Sequence, residues 1–286
     1  MILSKKIILK GGLRLDANNT LKRLFVGMLQ ETFKESESYS DFKVAIVSKE
    51  IKSKFGRYTP NDRMIEVFNL SRKSTSVLIT GIHELAHHVE FMETGEKTHK
   101  KSFYSYYHQL LLTGLRLGLI SVEDLKYSAT DSPDLSKLEE WYGDIDSWKF
   151  SKKRDSEAYI VVFNCFNEKD DLKQRGYTYF PHNKSWRKKF QNVQEAEKER
   201  KLLLFTLHLN ELNIKLGDLS TALFTQQYTL AVHGAFSKKE TLSKLGYGWE
   251  IFNVKKAWVK RIFADQYEEE VRNLKEARLT FKNLKV

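Results

Sequence analysis

Val77-Leu-Ile-Thr-Gly-Ile-His83-Glu84-Leu85-Ala86-His87-His88-Val89-Glu90-Phe91 is the stretch on which the reading of this chain turns. Its pattern predicts an apolar helix that begins near Ser74 to Ser76, runs through Phe91 and stops at Gly95. Inside it, His83-Glu84-Leu85-Ala86-His87 is an H-E-x-x-H motif. The i, i+4 spacing puts both imidazoles on one helical face, where two ring nitrogens can reach one Zn²⁺ at about 2 Å. Glu84 lies beside them, placed to take a proton from an attacking water without being a ligand. The competing reading is a pair of histidines that merely covers a helix face.

A catalytic zinc needs a third protein ligand and an open position. Downstream candidates are His88, Glu90, Glu93, His99 and His108. His88 points about 100° around the helix from His87 and is a poor ligand, expected as a supporting or surface residue. Glu90 and Glu93 share the helix with His83 and His87, which makes convergence awkward. His99 opens the next helix after the Gly95 turn, and an antiparallel return would bring it back over the first; it is the favoured candidate, against a histidine simply exposed at a helix start.

Working outward, the first half reads as α+β. Asp16 to Glu37 places Leu21, Leu24, Phe25, Met28, Leu29 and Phe33 at helical spacing. Phe42, Val44 and Ile46 alternate as in a strand, and Tyr58 and Met64 to Phe68 flank a Pro60-Asn-Asp62 turn that suggests a hairpin. From Thr98 a second helix carries Phe103, Tyr107, Leu110, Leu111 and Leu115 on one face. Ser121 and Asp124 form a capping-box-like start for a short further helix. Residues 128–150 are expected to be a linker or domain edge, the polar Asp131-Ser-Pro-Asp134 included.

The second half contains an internal repeat. Phe166 to Tyr179 aligns with Phe236 to Trp249, with Phe166/Phe236, Lys169/Lys239, Leu172/Leu242, Gly176/Gly246 and Tyr177/Tyr247 coinciding. After a two-residue insertion, Lys184-Ser-Trp186-Arg-Lys188 matches Lys256-Ala-Trp258-Val-Lys260. Each copy reads as strand, short helix closed by glycine, strand, turn, strand, over about 158–190 and 227–262. Lys188 to Leu216 between them is expected to be a long connecting helix, and Ala264 to Ala277 a similar charged helix.

The chain has 286 residues, 48 Lys and Arg against 37 Asp and Glu, and one cysteine. The single Cys165 rules out internal disulfides and multi-cysteine zinc sites, and suits a reducing cytoplasm. No apolar run approaches the roughly 20 residues of a membrane span, and lysines interrupt the start where a secretion signal would be apolar. Residues 1–150 hold 22 basic and 20 acidic side chains, and residues 151–286 hold 26 and 17. An acidic partner, nucleic acid being the commonest, should therefore meet the second half. Lys184, Trp186, Lys188, Lys256, Trp258 and Lys260 are the candidate nucleic-acid contacts, lysines on phosphates and aromatics on bases, with packing in a small core as the competing role for the tryptophans.

His83-Glu-Leu-Ala-His87, a short turn, then His99-Lys-Lys-Ser-Phe103 resembles the SprT-like zinc metallopeptidases, whose pattern is H-E-x-x-H followed by H-G-x-x-F/W. The likeness covers roughly residues 15–125, and Lys100 stands where that family often has glycine. It implies a zincin-like domain over 1–127, Zn²⁺ held by His83, His87 and His99, and Glu84 as general base. Residues 151–286 then form a basic region carrying the two repeats. A transition-state donor is expected too, with Tyr104, Tyr106 and Tyr107 within reach. The four-cysteine ribbon that many members carry is absent, which leaves the repeats to bring the enzyme to DNA-associated proteins. Two other functions fit the sequence: a peptidase whose repeats bind a protein substrate, and a non-catalytic nucleic-acid- or protein-binding adaptor that keeps the zincin fold.

Overall fold

The computed structural model describes residues 16–51, 53–129, 132–151 and 157–284. Helix α1 (Ala17–Thr32) is capped by Asp16, whose carboxylate accepts the Asn18 N–H at 3.2 Å. It buries Leu21, Phe25, Met28 and Leu29, with Leu24 and Phe33 at the edge of the same core. The helix ends at Thr32 rather than Glu37, because Phe33 turns extended and a 3₁₀ turn occupies Ser36–Tyr39. Strands β1 (Lys43–Ile46), β2 (Gly56–Thr59) and β3 (Met64–Val67) form a sheet in the order β1-β3-β2. The β2–β3 hairpin pairs Tyr58 with Ile65 antiparallel, while β1 runs parallel to β3.

Helix α2 (Ser74–Thr94) lies against this sheet and is buried on most of its surface, as its apolar sequence requires. Gly95, at φ 71°, closes it in the left-handed conformation. Helix α3 (Lys101–Arg116) returns antiparallel along α2 and buries Phe103, Tyr107, Leu110, Leu111 and Leu115. Before α4 (Val122–Ala129), Ser121 and Asp124 make the expected capping box, Asp124 N–H to Ser121 Oγ at 3.1 Å and Ser121 N–H to Asp124 Oδ2 at 3.0 Å.

The segment expected as a linker or domain edge carries a helix packed on the first core. Helix α5 (Pro133–Tyr142) starts with proline in its first turn, and Leu135, Leu138, Ile145 and Trp148 join the first core. Its polar residues are the solvent face of an amphipathic helix, so composition alone misread them. Asp131 lies outside the described residues.

The repeat is real in three dimensions and longer than expected. The first copy comprises β4 (Ala158–Phe163), α6 (Lys169–Gln174), β5 (Thr178–Phe180), β6 (Ser185–Phe190), α7 (Val193–Thr206) and β7 (Ile214–Gly217), with sheet order β5-β6-β4-β7. After α8 (Leu219–Phe224), the second copy follows as β8 (Gln227–His233), α9 (Lys239–Lys244), β9 (Gly248–Trp249), β10 (Ala257–Phe263), α10 (Tyr267–Glu276) and β11 (Lys282–Leu284), ordered β9-β10-β8-β11. The long helix expected to join the modules is therefore corrected. Its first part, α7, packs within the first module through Ala196 and Leu203, and its last part is strand β7 on the same sheet.

Three of the five residues shared by 166–179 and 236–249 have one structural job. Gly176 (φ 83°) and Gly246 (φ 82°) end α6 and α9, and the Tyr177 and Tyr247 amides bond back to Leu172 and Leu242 carbonyls at 2.9 Å. This stop buries the leucine and the tyrosine together in each core.

The halves share their interior. Phe180 of β5 and Leu223 and Phe224 of α8 belong to the first core, and Val161, Phe163, Ala222 and Phe263 join the two modules. Among the described residues no helix is long and apolar enough to cross a membrane.

Candidate metal centre

The turn after α2 is built by one carboxylate. Glu90, fully buried, accepts the Thr98 N–H at 2.8 Å, the Thr98 hydroxyl at 2.6 Å and the Ser102 hydroxyl at 2.9 Å. These three bonds fold residues 98–102 back onto α2 and carry His99 over His83 and His87. The three histidines can each offer a ring nitrogen within 4.8 Å of the others. His83 Nε2 and His99 Nε2 stand 3.4 Å apart. Two nitrogens held tetrahedrally at the zinc distance are separated by about 3.3 Å, so the His83–His99 pair has that spacing, and the three histidines together could hold a metal ion. Glu90, Glu93, His88 and His108, the other candidates for the third ligand, do not join this group among the described residues.

Burial keeps His83 and His87 neutral, the form that binds metal. It pushes His83 down to about 4, against a smaller opposing pull from Asp134, and drives His87 far below the ordinary histidine range. His87 Nδ1 is buried without a hydrogen-bond partner, 3.7 Å from Glu90 Oε2. His83 Nδ1 is 3.7 Å from Asp134 Oδ2, whose other oxygen accepts the Tyr104 hydroxyl at 2.6 Å. Carboxylates behind two of three histidines are the usual orienting arrangement at a metal site. Phe103 supplies the floor: its ring stacks on His87 at 4.2 Å and meets His83 and His99 edge-on at 4.9 Å each.

Glu84 is almost fully buried beside the cluster, and burial raises its carboxyl to about 7, with the Lys97 ammonium pulling the other way. Strand β2 passes so close that a Cβ on Gly56 would lie 2.7 Å from Glu84 Oε1 and 2.7 Å from Thr80 Cγ2. Glycine is needed there for the strand and the Glu84 side chain to share the space. A cleft of about 580 Å³ opens above, walled by β2, Lys97, Tyr127 and Asp134, and closed on one side by Glu268 of α10.

The expected donors separate. Tyr107 lines the cleft, Tyr104 is engaged with Asp134, and Tyr106 packs edge-on against Phe33. His88 faces away from the metal cluster but is not on the surface. Its Nε2–H donates to the Tyr39 carbonyl at 2.9 Å, and its Nδ1 accepts the Tyr58 hydroxyl at 3.0 Å. Sequence reasoning missed Asp134, Gly56, Tyr127 and Glu268; the only signal for Asp134 was its place in the first turn of a helix beginning at Pro133.

The candidate nucleic-acid contacts fare differently. Trp186 and Trp258 are core residues of their modules. Lys188 lies 4.0 Å from Glu199 and over the Tyr177 ring at 5.6 Å; Lys260 bonds Glu270 at 2.5 Å and lies over Tyr247 at 5.7 Å. The tryptophans thus take the packing role that competed with base stacking, and the two lysines are half-buried beside acidic partners. Lys184 and Lys256 are exposed, both at positive φ in the equivalent turn.

Comparison of the chain with known protein families, with curated proteins and with solved structures found no match.

Proposed function

We propose that the chain is a zinc-dependent metallopeptidase. The observation that carries this reading is the convergence of His83 and His87 of α2 with His99 of the turn before α3, with a buried glutamate beside them and an open cleft above. When bound, Zn²⁺ supplies Lewis-acid polarisation of a carbonyl and acidifies water toward neutrality. The chain's residues do the rest. Glu84, raised toward neutral pH by burial, takes the water's proton and returns it to the departing amine. Asp134 and Glu90 orient His83 and His87, and Phe103 fixes the plane of the cluster. Substrates, on the expectation that the basic second half meets nucleic acid, are proteins associated with DNA.

The test is cleavage of a protein mixture by the full chain, with and without DNA, alongside Glu84→Gln. The variant should retain one zinc per chain and lose cleavage by about a hundredfold or more. Equal behaviour of the two proteins under both conditions would support the adaptor instead.

A further inference from the structure

The aligned stretches 166–179 and 236–249 share five identical residues, and three of them, leucine, glycine and tyrosine, are accounted for by the helix stop. The other two, phenylalanine and lysine, lie outside the cores. Phe166 is 77% exposed and Phe236 66% exposed, each in the turn after the first strand of its module. A large apolar side chain kept on the surface at the same place twice is not a product of folding, since burial would favour it inside. Each is followed three residues later by the shared lysine, and Lys169 Nζ stands 4.7 Å over the Phe166 ring.

A second pair follows the same pattern. Tyr179 and Trp249 occupy equivalent places on β5 and β9, the outer strands of their sheets, and both are 43% exposed. Each leans on the buried tryptophan beneath, Tyr179 on Trp186 at 5.2 Å and Trp249 on Trp258 at 5.6 Å. In the second copy Phe236 and Trp249 meet edge to face at 6.0 Å, so the loop and strand aromatics form one patch. Both modules therefore present ring faces held from below by their cores.

The charge around these rings decides the partner. Residues 158–190 carry seven basic and three acidic side chains, and residues 227–262 carry seven and two. Together these account for the whole positive excess of the second half, the rest of residues 151–286 holding 12 basic and 12 acidic side chains. Flat ring faces within a positive field match bases on a phosphate backbone, where stacking is tolerant of sequence and lysines neutralise the phosphates. A duplex hides its base faces and can use only the charge.

We propose that the two modules form a binding site for single-stranded nucleic acid, with Phe166 and Tyr179 in the first and Phe236 and Trp249 in the second stacking on bases, and Lys169, Lys184, Lys239 and Lys256 facing phosphates. The site replaces the buried tryptophans and paired lysines that sequence alone suggested. It stands on the repeats and does not depend on turnover at the metal centre.

The full chain carrying Glu84→Gln, so that proteolysis plays no part, is titrated with fluorescein-labelled oligo(dT) of about 20 nucleotides. Binding should be tight at low salt and weaken steadily as salt rises. Phe166→Ala with Phe236→Ala should weaken it on the order of tenfold or more, and Trp249→Ala with Tyr179→Ala likewise, whereas Tyr179→Phe with Trp249→Phe should keep most of it. Duplex of the same length should bind more weakly than the single strand. No binding at low salt overturns the proposal, as does unchanged affinity in the alanine variants. Equal affinity for polyglutamate of matched charge also overturns it, because charge alone would then suffice.

Discussion

The Phe103 ring lies on the His87 imidazole with centroids 4.2 Å apart and planes 25° from parallel, so the fourth residue after the third histidine sets the orientation of the second. Phe103→Leu keeps most of the buried volume and removes the flat face. Zinc affinity, read by competition with a chromogenic chelator, should fall about tenfold with little loss of helix by circular dichroism. Unchanged affinity would show that Phe103 only fills space.

Asp134 should matter through His83 rather than as a ligand. Asp134→Asn keeps the shape but removes the negative charge 3.7 Å from His83 Nδ1, and should cost about tenfold to a hundredfold in zinc affinity. Tyr104→Phe, which removes only the donor to Asp134, should cost less. Chelator competition on both variants separates the two effects; equal losses would contradict this order.

Glu90→Gln leaves one acceptor oxygen for three donors, Thr98 N–H, Thr98 Oγ and Ser102 Oγ. The expected cost is about 1–3 kcal/mol in urea unfolding. Zinc affinity should drop too, since the same bonds return His99 to the cluster. A stability loss with intact affinity would separate the turn from the metal.

His88→Phe should destabilise without touching metal content. It strands the Tyr58 hydroxyl and the Tyr39 carbonyl, two buried groups that His88 now joins, at about 1–3 kcal/mol for each. Zinc stoichiometry measured on the purified variant should stay at that of the wild type.

Cys165 should be chemically silent in the native protein. Burial pushes its thiol up to about 12, so the thiolate is scarce at pH 8 and reaction with a disulfide reagent should wait for unfolding. Rapid labelling of the folded chain at pH 8 would mean that the β4 end opens.

The chemistry was legible where it is local. An H-E-x-x-H on an apolar helix puts two histidines on one face by backbone geometry alone, and the Gly95 stop told where the chain turns back toward His99. Asp134 was not legible, because its contact spans 51 positions from His83 and no period announces it. Its helix was hidden by the polar face it shows to water. In the repeats, identity between copies marked the important positions without distinguishing their reasons: Tyr177 and Tyr247 are kept for the core, Phe166 and Phe236 lie outside it. Trp186 and Trp258 illustrate the same ambiguity, since a large aromatic beside lysines serves a small core as readily as a surface. The long helix failed for a different reason. Residues 207–217 are apolar enough for either period, and pairing of β7 with β4 decided for strand.

Phe180, Leu223 and Phe224 carry a consequence for inheritance. They lie in the repeated half yet fill the interior that supports the histidines. A lineage that no longer needed whatever the modules bind could shed the exposed phenylalanines at small cost, but could not delete the modules without opening the core of the first half. The surface aromatics are thus free to drift in relatives, while the scaffold beneath them is held in place by a duty it performs for its neighbour.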